Sequence, residues 1–139
     1  MLIALMILLF VSIVTYSLDV STAPEGYYKS CEKNFRIQLL HLAHHFLNVF
    51  IYFGWLSNDK ILLYIYFFIP LFALLHWATN GGNCKVSQVV NNNCKIDGTE
   101  FRQIFHIAKF HDYKYFRVIQ ALYILTAWVI AIQKLRNLP

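Results

Sequence analysis

Residues 37–79, IQLLHLAHHFLNVFIYFGWLSNDKILLYIYFFIPLFALLHWAT, decide the fold. They hold two apolar runs, 37–56 and 61–79, separated only by Ser57-Asn58-Asp59-Lys60. The hydrocarbon core of a bilayer is about 30 Å thick and is crossed by about 20 apolar residues of helix. Both runs are close to that length. A four-residue polar break makes a tight turn, so the pair predicts an antiparallel helical hairpin. Trp55 stands where an interfacial aromatic is expected. Pro70 removes one helical hydrogen bond and predicts a kink in the second run.

Two more runs flank the hairpin. Residues 1–18 carry no charged side chain, and 116–132 are apolar except for Arg117 and Gln120. Four spans in 139 residues predict a single all-α domain, 1–139, an integral membrane four-helix bundle. Composition agrees: 58% of residues are hydrophobic and 14% charged, against about 45–50% and about 25% in soluble domains. That excludes a disordered chain and leaves too few charges to cover a small water-soluble globule. No Lys or Arg precedes the first run, and Pro24 follows the small residues Ser21-Thr22-Ala23. Both features favour a retained span over a cleaved signal.

The connections are 19–34 and 80–114. The second opens with Asn80-Gly81-Gly82-Asn83 and contains Asn91-Asn92-Asn93, which read as turn and loop. Asp97 and Glu100 have capping-box spacing, ahead of Phe101, Ile104, Phe105 and Ala108 on one helical face. An amphipathic interfacial helix before the last span is the expectation.

The net charge is +5, and nine of the twelve Lys and Arg fall in or beside these two connections. The positive-inside rule therefore places that end of the bundle in the cytosol. Cys31, Cys84 and Cys94 lie on the same end. A Cys84–Cys94 disulfide is sterically feasible at ten residues' separation, although cytosolic thiols stay reduced. The odd count leaves at least one thiol over.

His41, His44 and Asn48 share a helical face, and His45 is one turn from His41. By helical rise, His41 lies about 7 Å and His76 about 9 Å from the middle of their spans, on the same side once the hairpin folds. His41, His44, His45 and His76 are therefore expected to converge. Polar groups at membrane depth are costly and mark function. They serve as hydrogen-bond partners between helices, as ligands of a metal or haem, or as a proton relay.

Other chemistry is sparse. There is no Gly-rich phosphate loop and no G-x-S-x-G elbow. Asp19, Glu25 and Glu32 fall in the first connection, so no acidic residue is expected in a span, which weakens a transporter reading. No catalytic residue is assigned, and the chain reads more as a structural protein than as an enzyme. Lys85, Lys95, Arg102, Lys109 and Lys114 are expected to meet lipid head groups and partner proteins rather than nucleic acid.

His41-Leu42-Ala43-His44-His45 has the HxxHH form, and His106 to His111 the HxxxxH form. These resemble the histidine boxes of membrane fatty-acid desaturases and hydroxylases, a family that binds two irons through eight or more histidines. This chain has six histidines, with the boxes in reversed order. The second and third spans, with Leu75-His76-Trp77, Asn80 and Cys84-Lys85-Val86-Ser87, look like small membrane proteins of large icosahedral DNA viruses. That resemblance implies a structural protein of the virion inner membrane or minor capsid, without a cofactor. Its partners would be the lipid bilayer and other membrane or capsid proteins of the same assembly. Such viruses often encode thiol oxidases, which softens the objection to a disulfide. The composition also suits an accessory subunit of a respiratory complex in a mitochondrial inner membrane. The expected function is structural; the alternative is a His-ligated metal or haem membrane protein, redox-active or oxygenase-like, with iron or haem bound.

Overall fold

The structure, a computed structural model, describes residues 1–23, 28–81, 84–94 and 115–138. Among them are five α-helices and no strand: α1 (Leu2–Thr22), α2 (Phe35–Phe53), α3 (Lys60–Thr79), α4 (Lys85–Cys94) and α5 (Phe116–Asn137). One 3-10 turn, Gly54–Leu56, extends α2. Four helices are long and apolar enough to cross a membrane: Leu2–Thr22, Phe35–Leu56, Lys60–Thr79 and Val118–Asn137. The chain is an all-helical membrane bundle.

Local chemistry sets the helix ends. Asn34 caps α2 by accepting from the Ile37 N–H at 3.3 Å. Asp59 caps α3 by accepting from the Ile61 and Leu62 N–H groups at 3.1 and 3.2 Å. Each cap satisfies amides that have no partner within the helix. At the end of α2, Lys134 Nζ donates to the carbonyls of Trp55, Leu56 and Ser57 and to Asn58 Oδ1, all at 3.1–3.2 Å. A cation there also opposes the negative end of the helix dipole.

These contacts fix the topology. The Met1 amine pairs with Asp59 at 2.7 Å, so α1 starts beside the α2–α3 turn. Lys134 brings the end of α5 to the same place. The helices therefore alternate in direction, and α2 packs against α1, α3, α4 and α5. Leu8, Val49, Phe50, Leu62, Leu63, Tyr66, Ala127 and Ala131 form the core. The Tyr66 hydroxyl is buried and donates to the Ile51 carbonyl at 2.8 Å. A Cβ on Gly54 would lie 2.6 Å from the Tyr66 ring, so only glycine lets the 3-10 turn approach so closely. Outward positions such as Ile3, Phe10, Phe72 and Ile119 are apolar and exposed, as lipid-facing side chains are.

Several expectations change. Residues 85–94, read as turn and loop, form α4. Its Ser87, Val90, Asn91 and Cys94 are buried, and Val90 and Cys94 join Cys31 and Ile37 in a second small core. Packing against α2 outweighs the weak helix propensity of the Asn run. The disulfide is Cys31–Cys94, not Cys84–Cys94. Cys84 precedes α4 and Cys94 ends it, so the helix holds them about 15 Å apart. Helix α1 continues past Leu18 to Thr22, taking Asp19 into a span. There the hydroxyls of Ser21 and Thr22 donate back to the Leu18 carbonyl. Lys85 is exposed at the start of α4. The expected capping box at Asp97 and Glu100 lies outside the described residues, as do the amphipathic helix, His106, His111, Lys95, Arg102, Lys109 and Lys114.

Candidate metal centre

Asp19 lies near the end of α1 and is completely buried. His41 and His45 are one turn apart on the face of α2 that packs against it. Asp19 Oδ2 stands 3.0 Å from His41 Nε2 and 3.3 Å from His45 Nε2. The two Nε2 atoms are 3.1 Å apart. The three atoms form a nearly equilateral triangle joining two helices.

The surroundings close it. The Tyr28 hydroxyl donates to Asp19 Oδ2 at 2.9 Å, and its ring centroid lies 5.3 Å from that of His41. Tyr16 presents its ring at steep angles to His41 and His45, with centroids 4.9 and 5.8 Å away. Asp19 Oδ1 and His45 Nδ1 are buried with no hydrogen-bond partner among the described residues. The ion pairs of Asp19 among the described residues are with histidines alone. A buried carboxylate is stable only when its charge is balanced.

Protons alone satisfy this triangle poorly. A neutral imidazole nitrogen either donates or accepts. If both Nε2 atoms carry protons, both donate to Asp19 and the 3.1 Å N···N edge sets two donors against each other. If one lacks its proton, it accepts from the other but faces the carboxylate with a bare lone pair. One cation within reach of all three atoms resolves every edge. The ligand atoms of a tetrahedral site with arms of about 2.0 Å are about 3.3 Å apart, and cis ligands of an octahedral site of that size about 2.8 Å. The observed edges lie between these values. The donor set, two imidazoles and one carboxylate, suits zinc or ferrous iron and leaves positions open.

Of the four histidines expected to converge, the triangle contains His41 and His45. His44 is buried beside them but turns toward α4, with Nε2 3.4 Å from Cys84 Sγ. His76 is exposed and accepts the Lys85 N–H at 3.1 Å, where it helps start α4. The anionic member, Asp19, is the residue the sequence reading missed. The signal available was the spacing of Ser12, Tyr16 and Asp19, which places them on one helical face if the first run is carried four residues further. The chain matches no protein family, and no characterised protein and no solved structure is detectably similar to it.

Proposed function

We propose that this is a metal-binding integral membrane protein whose α1–α2 pair holds a divalent first-row transition ion through Asp19, His41 and His45. The observation that carries this reading is the buried Oδ2–Nε2–Nε2 triangle, whose edges suit ligands of one ion and, with Asp19 ionised, are poorly satisfied by protons. Asp19 Oδ1, which has no hydrogen-bond partner among the described residues, supports it, since a cation beside the carboxylate would balance that atom as well. Haem is less well supported than a bare ion. Axial haem ligands stand on opposite faces of the macrocycle, whereas these imidazole nitrogens are in mutual contact. The test is metal analysis of detergent-purified protein after loading with zinc or ferrous ion and exhaustive dialysis. One ion per chain is expected, lost in Asp19→Asn and in His45→Ala and kept in His76→Ala. A wild-type protein that retains no ion overturns the reading.

A second reading, a structural membrane component of a virion, is favoured by the Cys31–Cys94 disulfide, which joins the two connections that carry most of the Lys and Arg in the sequence. A thiol oxidase encoded with the protein would reconcile that disulfide with a cytosolic face. Co-purification of the chain with capsid proteins would support it, and its exclusion from assembled particles would sink it.

A further inference from the structure

Between the triangle and the disulfide runs a continuous chain of contacts. Tyr28 covers the triangle through its hydroxyl on Asp19 Oδ2 and its ring against His41. Its backbone carbonyl accepts from the Cys31 N–H at 3.0 Å, and the Cys31 sulfur lies 3.4 Å from the same oxygen. The Asn34 N–H in turn donates to the Cys31 carbonyl at 2.9 Å. Residues 28–34 are thus one compact turn, with Tyr28 at one end and the α2 cap at the other. The turn carries one covalent tie to the rest of the fold beyond its own chain connections: Cys31–Cys94, which binds it to the last residue of α4. Helix α4 itself rests on α2. The apolar support around the tie is small, comprising Ile37 and Val90 with Tyr28 and Leu40 partly buried beside them.

We propose that Cys31–Cys94 is a redox latch on the metal centre: oxidised, it holds Tyr28 over Asp19 and His41 and makes ion exchange slow; reduced, it frees the 28–34 turn and opens the centre to exchange. This rests on the metal reading above. The chemistry is ordinary thiol–disulfide exchange. A dithiol reductant attacks one sulfur as thiolate, passes through a mixed disulfide, and leaves as its own cyclic disulfide. Two electrons and two protons reach Cys31 and Cys94, which become thiols. The free Cys84 is not part of the switch, since α4 keeps it about 15 Å from Cys94.

The experiment loads wild type and C31S/C94S with zinc in detergent and follows transfer of the ion to a chromophoric chelator in excess. The double variant is expected to release zinc about tenfold faster, or more, matching the loss of one hydrogen bond to a charged group. Tyr28→Ala in the oxidised protein should show the same acceleration, and adding it to C31S/C94S should change little more. Equal release rates in wild type and C31S/C94S overturn the latch. If the double variant does not fold, wild type reduced with a phosphine takes its place. Failure of the metal reading is visible separately, as a wild type that holds no zinc. The latch is then decided on the ion-free protein by carbethoxylation of His41 and His45, located by mass spectrometry. Faster modification after reduction supports it, and an unchanged rate overturns it.

Discussion

Asp19 is the residue on which the site turns. Its burial in a membrane span is sustained by the donors of a second helix and of the turn before it, His41, His45 and Tyr28, so a substitution affects more than one helix. Tyr28→Phe keeps the ring over His41 and removes one hydrogen bond from the carboxylate proposed as a ligand. A partner of that kind contributes about tenfold or more to metal affinity, and a competition titration with a chelator of known affinity would measure the loss. Gly54→Ala is a purely structural counterpart. The new Cβ would meet the Tyr66 ring, whose hydroxyl is itself fixed to Ile51, and overpacking of this kind costs about 1–3 kcal/mol. A lower thermal midpoint with metal stoichiometry unchanged is expected. At this scale the sequence was half legible. His41 and His45 share a helical face by spacing alone. Nothing in the spacing separates His45 from His44, because which of two adjacent residues faces α1 depends on how α2 is rotated in the bundle.

The helices themselves were easier to foresee than their ends and their neighbours. Apolar run length identified all four spans, since a bilayer imposes that length on any sequence. Helix α4 was hidden because its formation depends on α2 and on Cys31 rather than on its own residues, and an Asn run has weak local preference for helix. The caps give two predictions. Asn34→Ala removes the acceptor for the Ile37 N–H and should cost about 1 kcal/mol of stability, read as a lower thermal midpoint. Asp59 responds to acid. The Met1 amine first, and then the Leu62 N–H, hold its carboxyl below the usual carboxylate range. A carboxyl with a depressed folded value stabilises the fold above its unfolded value, near about pH 4. That contribution disappears as pH falls through the lower folded value. Wild type should therefore lose more of its thermal midpoint between pH 6 and pH 3 than Asp59→Asn does. Equal losses would show that the cap carries no charge-dependent share.

For the whole molecule, two rules that usually agree on sidedness pull apart. By sequence, the two connections 19–34 and 80–114, with the residues beside them, hold nine of the twelve Lys and Arg, and Cys31–Cys94 joins these two connections. Cation bias assigns them to the cytosol, and a stable disulfide assigns them to an oxidising environment. Cys84 is a half-buried free thiol in the second of them and can report the answer. In sealed vesicles of known orientation, a membrane-impermeant maleimide is expected to label Cys84 from the oxidising side. Labelling from the reducing side, with Cys31–Cys94 still intact on a non-reducing gel, would instead require a dedicated oxidase and would strengthen the virion reading.

The order of the triangle's residues along the chain adds a matter of timing. Asp19, His41 and His45 all precede Cys94, and the helices that carry them form the α1–α2 pair. During synthesis that pair can dock in the bilayer while α4 is still inside the ribosome. A newborn chain therefore passes through an interval in which the triangle exists and its fastening does not. If Asp19, His41 and His45 hold an ion and Cys31–Cys94 latches it, as proposed above, metal supplied in that interval would enter faster than metal arriving later.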